Sequence, residues 1–129
     1  MIKSTLSRWG INMRLLITAA GIVCLTACSS VAEVRDTPPL IVIKSSAPAE
    51  QVAECIRDGW QSTKVVGGSI GGVLQKSGPR YSVVASPEIP WHVVDVDSSQ
   101  SGSIVTYHFY RTWQSPPAQV QQVIRSCAG

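Results

Sequence analysis

Apolar residues recur at helical intervals in two stretches of this chain. The first stretch predicts an amphipathic helix over residues 47–61, and the second predicts one over residues 116–127. The apolar stripe of the first helix comprises Val52, Cys55, Ile56 and Trp60. The apolar stripe of the second comprises Val120, Val123, Ile124 and Cys127. Each stripe therefore carries one cysteine on the side of the helix that faces the core.

Between the two helices the pattern changes to the alternation that is typical of strands. Three strands are predicted, over residues 80–86, 92–96 and 103–112, with a polar turn at residues 97–102. Residues 64–75 are a candidate fourth strand, which their glycines weaken. We expect an α+β domain, a small antiparallel sheet of three to four strands with both helices packed on one face.

A further apolar run, residues 40–43, precedes the first helix within a stretch of Ser, Pro and charged residues. The run is compatible with an edge strand, since Pro38 and Pro39 would block pairing before it, and equally with an extended segment. The composition of residues 28–47 favours a tether. The predicted organisation is therefore a tether followed by a single globular domain over residues 48–129.

Residues 1–27 have the three parts of a secretory signal peptide. Basic residues come first, and the apolar stretch that follows is shorter than the roughly 20 residues of a membrane-spanning helix. Small residues, Thr26 and Ala27, close the segment. Met13 is an alternative start, because a leader that begins there keeps Arg14 as its basic residue.

The end of this leader, Leu25-Thr26-Ala27-Cys28, resembles the lipobox of bacterial lipoprotein precursors. The resemblance covers only the leader and its cleavage site, and it implies that Cys28 is acylated and becomes the new N-terminus. Several acyl chains hold a protein stably in a bilayer, whereas one binds marginally. Ser29 after the cysteine implies an outer-membrane anchor. We expect the domain to face the periplasm, and a domain that faces the cell exterior is the alternative. The alternative is a secreted protein in which Cys28 is an ordinary residue.

The net charge of +3 is a property of the leader. Three of the 11 basic residues lie there, so the remaining eight balance the eight acidic residues of the chain. These basic residues are spread along the sequence, whereas nucleic-acid binding relies on clustered Lys and Arg. We therefore do not expect a nucleic-acid partner.

Two cysteines remain once Cys24 leaves with the leader and Cys28 is acylated. Exported proteins fold in an oxidising compartment, so Cys55 and Cys127 are predicted to form one disulfide bond. A redox or metal pair is disfavoured, since the chain has no C-x-x-C motif and the two cysteines are far apart in sequence.

The residues with the greatest catalytic potential are two aspartates, Asp95 and Asp97, and two histidines, His92 and His108. The aspartates share a strand face, and His92 lies on the other face because it is an odd number of positions away. An envelope hydrolase that uses the aspartates and a histidine is one hypothesis. No metal and no cofactor are predicted, because metal sites usually need more imidazole ligands than this arrangement offers.

The favoured hypothesis is a non-enzymatic binding or accessory protein of the cell envelope, anchored in the membrane by its lipid and bound to another envelope protein. Trp91 and Trp113 stand at strand boundaries, where an exposed ring is a contact anchor. The loop over residues 67–72 is predicted to belong to the same binding surface, because loops on a rigid scaffold carry function. Its glycines lack the Lys-Ser/Thr pair of a P-loop and suit a flexible hairpin. They are Gly67, Gly68, Gly71 and Gly72. A purely structural spacer lipoprotein is the third hypothesis.

Overall fold

The computed structural model describes residues 30–65, 68–85 and 90–129. The predicted signal peptide with its alternative start Met13, the predicted acylation site Cys28, and Gly67 lie outside the described residues. The described helices are α1 (Val31–Arg35), α2 (Ala49–Ser62) and α3 (Ala118–Ala128). The described strands are β1 (Ile41–Ser45), β2 (Lys64–Val65), β3 (Gly68–Ser69), β4 (Val73–Ser77), β5 (Arg80–Ala85), β6 (His92–Ser99) and β7 (Gly102–Phe109). No helix in this part of the chain is long and apolar enough to cross a membrane.

Five of the described strands form one antiparallel sheet in the order β1-β7-β6-β5-β4. The predicted mixture of helices and an antiparallel sheet is confirmed. The sheet has five strands, more than the three to four predicted. The additional strands are at the two edges of the sheet. Edge strands are short and expose much of their surface, so their alternation is weak in the sequence. The candidate strand at residues 64–75 is in fact the separate β2–β3 hairpin followed by the start of β4.

The assignment of residues 28–47 to a tether is wrong for the described part of that segment. β1 pairs along its length with β7, and α1 packs on the sheet face opposite α2 and α3. Val34 of α1 is fully buried against Val84 and Val93. Ser30 and Glu33 form a capping box at the start of α1. A helix of a single turn has no repeating apolar stripe, so only this Ser-x-x-Glu pattern marked it in the sequence.

Helices α2 and α3 pack together on the other face of the sheet, as predicted. The helices approach closely at Gly59, where a Cβ atom would overlap Val123. The disulfide between Cys55 and Cys127 joins them, with 5.7 Å between the two Cα atoms. The predicted disulfide is therefore confirmed. The core beneath the helices includes residues from four strands and both helices, among them Ile56, Trp60, Val83, Val94, Val105, Tyr107 and Ile124.

The hairpin between β6 and β7 is longer than predicted. Its strands run to Ser99 and start again at Gly102, leaving a two-residue loop where a turn over residues 97–102 was expected. Gly102 has a φ of +142°, a conformation that side chains disfavour. The tip of this hairpin is exposed on both faces of the sheet, so its residues are polar on both faces. The alternation of apolar and polar residues that marks a strand is therefore missing there, and the sequence predicted a turn instead.

Candidate functional site

A cavity of about 400 Å³ opens at the end of the sheet where β6 begins and β7 ends. Val65 and Ile70 line one wall, Phe109 lines the sheet side, and Pro117 closes it from the start of α3. Segments from distant parts of the chain thus build one largely apolar recess. Its polar lining includes His92 and Arg111.

The glycine-containing segment forms the wall of this cavity nearest α2. Ile70 is held there because its backbone N–H donates to the Thr63 carbonyl at 3.3 Å, and the Ser69 hydroxyl donates to the Gln61 carbonyl at 2.8 Å. Gly71, with a φ of +70°, makes the left-handed turn that leads the chain towards β4. At Gly72 a Cβ would stand 3.3 Å from a methyl group of Val83, so the segment lies tightly on the sheet. The predicted glycine loop is therefore part of the cavity wall through Ile70.

The mouth of the cavity carries a stack of two tryptophans and one arginine. The guanidinium carbon of Arg111 lies 4.2 Å from the centre of the Trp91 ring and 5.5 Å from that of Trp113. Trp91 is 37% exposed and Trp113 is 78% exposed. Trp91 lines the cavity, and Trp113 lines an adjoining groove. Both predicted aromatic anchors are thus exposed and meet on the same arginine.

Arg111 is the residue of this site that the sequence reasoning missed. Its Nη1 donates to Oε1 of Gln114 at 3.1 Å. None of the ion pairs between described residues includes Arg111. The sequence did offer one signal for Arg111: it stands two residues before Trp113, at the end of a strand, where a guanidinium can reach a neighbouring ring.

His92 forms part of the cavity lining and is only 7% exposed. Its ring stacks on Phe109 with centroids 4.8 Å apart, and its Nδ1 lies 2.7 Å from the Tyr107 hydroxyl. Burial lowers the pKa of His92 to about 4 and raises the pKa of Tyr107. The imidazole is therefore neutral near pH 7. The Tyr107 hydroxyl has no other acceptor among the described residues, so we assign it as the donor to Nδ1, which places the imidazole proton on Nε2.

The predicted carboxylate pair lies on the opposite face of the sheet, in a cluster that ties α1 to the strands. Nε and Nη2 of Arg35 donate to the two oxygens of Asp95 at 2.8 and 2.9 Å, and the Ser82 hydroxyl donates to Asp95 at 2.6 Å. Arg80 pairs with Asp97 at 2.7 Å and lies 3.5 Å from Asp95. Asp95 is 3% exposed. Both carboxylate oxygens of Asp95 therefore accept hydrogen bonds within the cluster.

Electrostatics in this cluster favour the charged form of Asp95. Burial acts to raise the pKa of Asp95, but hydrogen bonds from Arg35 and Ser82, with the charges of Arg35 and Arg80, outweigh it and hold the pKa below its usual value. The hydrogen bond to Asp97 raises the pKa of Arg80 in turn. A carboxylate held ionised by two guanidinium groups is a poor proton acceptor and a poor nucleophile.

The structure does not bring His92 together with the two aspartates, because they occupy opposite faces of the sheet. His108 does share the face of Asp95, but its Nδ1–H donates to the Thr37 carbonyl at 2.8 Å and holds the link between α1 and β1. Within the described ranges, no three His, Cys, Asp or Glu side chains converge as metal ligands would.

The cavity with its Trp–Arg mouth and the Asp95 cluster are thus two separate sites on opposite faces of one sheet. The cavity is open to a ligand, whereas the cluster has its groups paired internally. Comparison with protein-family models, curated proteins and solved structures found no match for this chain.

Proposed function

We propose that this protein is a lipid-anchored binding protein of the bacterial outer membrane, which recognises another envelope component through its cavity and the surrounding rim. The rim is defined as Trp91, Arg111 and Trp113. The observation that carries the binding role is the contact of Arg111 with two exposed tryptophan rings at the mouth of an apolar cavity.

The energetics of interfaces support a binding role for the rim. Trp and Arg are enriched among the few interface residues that contribute most of the binding energy. Stacking on Arg111 restricts the rotamers of both rings before any ligand arrives, which reduces the entropy lost on binding. Exposing two large rings to water is unfavourable for a domain of this size unless a partner covers them.

Two features support the proposed location in the envelope. The resemblance of residues 25–28 to a lipobox implies acylation at Cys28, and the disulfide between Cys55 and Cys127 suits an oxidising compartment. The proposed outer-membrane location follows from Ser29, through the same resemblance.

The hydrolase hypothesis has weaker support. Its carboxylate pair would need a group that accepts or donates a proton near neutral pH. The partners of Asp95 favour its ionised form instead, and α1 lies over it. The cluster is better suited to holding α1 in place than to chemistry.

The experiment compares rim variants in the lipid-anchored protein, crosslinked in intact envelopes and then purified. Trp91→Ala and Trp113→Ala are expected to lower recovery of the partner, because removing a hot-spot Trp costs about 2 kcal/mol or more, roughly a thirtyfold loss of affinity. Tyr110→Ala is the matched control, since Tyr110 is an exposed aromatic residue that does not line the cavity. Folded Trp91→Ala and Trp113→Ala variants that still recover every partner would contradict the binding proposal. If an Asp95→Asn variant that is shown to fold then loses function, the hydrolase hypothesis replaces it.

The anchor is tested separately with Cys28→Ser. This change is expected to abolish incorporation of a labelled lipid precursor and to release the domain from membranes. Continued labelling of the Cys28→Ser protein would contradict the lipoprotein assignment without affecting the binding proposal.

A further inference from the structure

We propose that the cavity binds the free C-terminus of a polypeptide whose last residue is apolar, with the terminal carboxylate on Arg111 and the last side chain inside the cavity. The inference rests on the proposed binding function and names its ligand. Three independent properties of the site support it: an arginine with no carboxylate partner among the described residues, a buried His92 nitrogen with no hydrogen-bond partner among them, and an apolar surface that continues beyond the cavity.

The charge of the site calls for an anion. Among the described residues that line the cavity, only Arg111 is charged, and its guanidinium carries five N–H donors. One is given to Gln114, and none of the ion pairs among residues 30–65, 68–85 and 90–129 satisfies the others. A planar carboxylate is the partner that a guanidinium binds with two parallel hydrogen bonds.

Two further polar groups of the lining, on His92 and Gln114, can donate, and Gln119 adds an amide that can donate or accept. His92 is 7% exposed, its Nδ1 accepts from the Tyr107 hydroxyl, and its Nε2 has no hydrogen-bond partner among the described residues. Buried polar groups are almost always hydrogen-bonded, so a lining nitrogen without a protein partner points to a ligand atom. Gln114 receives the Arg111 hydrogen bond on its oxygen, which leaves its NH₂ group for the cavity. A ligand with acceptor oxygens satisfies all three groups.

The rest of the lining is apolar and small. Val65, Ile70 and Phe109 surround a space of about 400 Å³, near the lower end of the volumes that small-ligand pockets have. Such a space suits one large apolar side chain attached to the carboxylate. A doubly charged or strongly polar group would lose its hydration there without compensation.

The surface outside the cavity favours a polypeptide over a free organic acid. Gln114 lines both the cavity and the adjoining groove, so the two are continuous. In that groove Trp113 is 78% exposed and Leu40 is 50% exposed. A small acid confined to the cavity would leave this surface uncovered, whereas the residues that precede a C-terminal residue would extend across it.

The test measures fluorescence anisotropy of labelled peptides with the full chain purified in detergent. The peptides share one flexible sequence and end in Phe, Leu, Val or Trp, or in Asp or Lys, each as the free acid and as the C-terminal amide. At least one peptide with an apolar end is expected to bind as the acid and at least tenfold more weakly as the amide, because the amide loses a charge-assisted hydrogen bond. N-acetylphenylalanine, the same chemistry without the preceding residues, is expected to bind more weakly than the peptide ending in Phe.

Arg111→Gln is expected to remove the difference between acid and amide. Arg125→Gln is the matched control, since Arg125 also lacks an ion pair among the described residues but lines a different depression. Equal binding of acid and amide by the unchanged protein, or no saturable binding by any peptide, would overturn the proposal. Equal affinity for N-acetylphenylalanine and the Phe peptide would assign the site to a small organic acid instead. If the peptides fail while Trp91→Ala and Trp113→Ala still lose the crosslinked partner, the proposed function stands and only this ligand is rejected.

Discussion

His92 and Asp95 lie three positions apart in β6 and meet opposite surroundings. His92 is enclosed by the rings of Trp60, Tyr107 and Phe109, which offer it no charge. Asp95 is enclosed by the guanidinium groups of Arg35 and Arg80, which stabilise its charge. The two residues therefore make the stability of the fold sensitive to acid in two separate pH ranges. His92 resists protonation below the ordinary histidine pKa of about 6.5, and Asp95 resists it below the ordinary aspartate pKa of about 4.

The free energy of unfolding is expected to fall as the pH drops from about 6.5 towards 4. Over this range the unfolded chain takes up a proton at His92 that the folded chain does not, because burial lowers the folded pKa to about 4. The loss amounts to about 3 kcal/mol at most. Urea unfolding at several pH values, followed by tryptophan fluorescence, measures it. His92→Gln keeps an acceptor for the Tyr107 hydroxyl and should flatten the pH dependence in this range; an unchanged slope would contradict the assignment to His92.

Arg35→Ala is expected to destabilise the fold by about 2 to 3 kcal/mol, because it leaves the buried Asp95 carboxylate without its main partner. Arg57→Ala is the control, since the Arg57–Asp58 pair is exposed and such pairs contribute about 0 to 1 kcal/mol. Denaturant unfolding near neutral pH compares the two variants. Because the folded pKa of Asp95 is lowered, the contribution of the pair should be present above the ordinary carboxylate pKa and disappear as the pH falls through the folded value. Equal losses in both variants would mean that the cluster does not stabilise α1.

At the scale of elements, α2 and α3 act as one layer because three contacts lock them together. The disulfide joins their cysteines, Gly59 permits close approach to Val123, and the Trp60 indole donates to the Val120 carbonyl at 3.3 Å. The start of α3 also closes the cavity through Pro117. The position of this helix therefore affects both the core and the proposed binding site.

Replacing both Cys55 and Cys127 with Ala is expected to destabilise the domain by about 4 kcal/mol, since the bond closes a loop across a sequence separation of 72 residues. Thermal unfolding of the variant, and of the reduced natural protein, measures the effect. Both should lose stability by similar amounts. A variant as stable as the oxidised protein would show that packing at Gly59 and Trp60 alone holds the helices.

At the scale of the whole molecule, the incorporation of α1 and β1 into the domain brings the proposed anchor close to the fold. Ser30 caps α1, so only Ser29 lies between it and Cys28. Consecutive Cα atoms are about 3.8 Å apart, which limits the span from Cys28 to Ser30 to about 8 Å. An acylated Cys28 would thus hold the domain against the membrane surface, and the predicted tether would not separate them.

Neutron reflectometry of the acylated protein on a supported bilayer tests this arrangement. The protein layer is expected to begin directly at the headgroups, because the connection is too short for a water gap. Inserting a Gly/Ser linker of about 20 residues between Ser29 and Ser30 should create a gap, since such a linker has a mean span of roughly 25 Å. A gap of the same width in both proteins would show that α1 detaches from the sheet at the membrane.

The disulfide partners were predicted by elimination, since Cys24 and Cys28 are assigned to the leader and its lipobox. Local patterns by themselves determined the α+β class, the two long helices and the three central strands. Their periods of 3.6 and 2 are properties of neighbouring residues, so no knowledge of distant contacts was needed. The same alternation separated His92 from Asp95 correctly. Two residues of the rim, Trp91 and Trp113, were singled out because they stand at predicted strand boundaries, where an exposed ring can anchor a contact.

Only the tertiary structure decided which distant residues meet. Arg35 pairs with Asp95 across 60 positions, the edge strands β1 and β4 are specified by their partners, and Arg111 acquires its role from the two rings that it contacts. The cavity likewise exists only where β2–β3, β6, β7 and α3 converge. These contacts join segments with no shared period, because burial and charge pairing act through space, and distance along the chain does not reveal them.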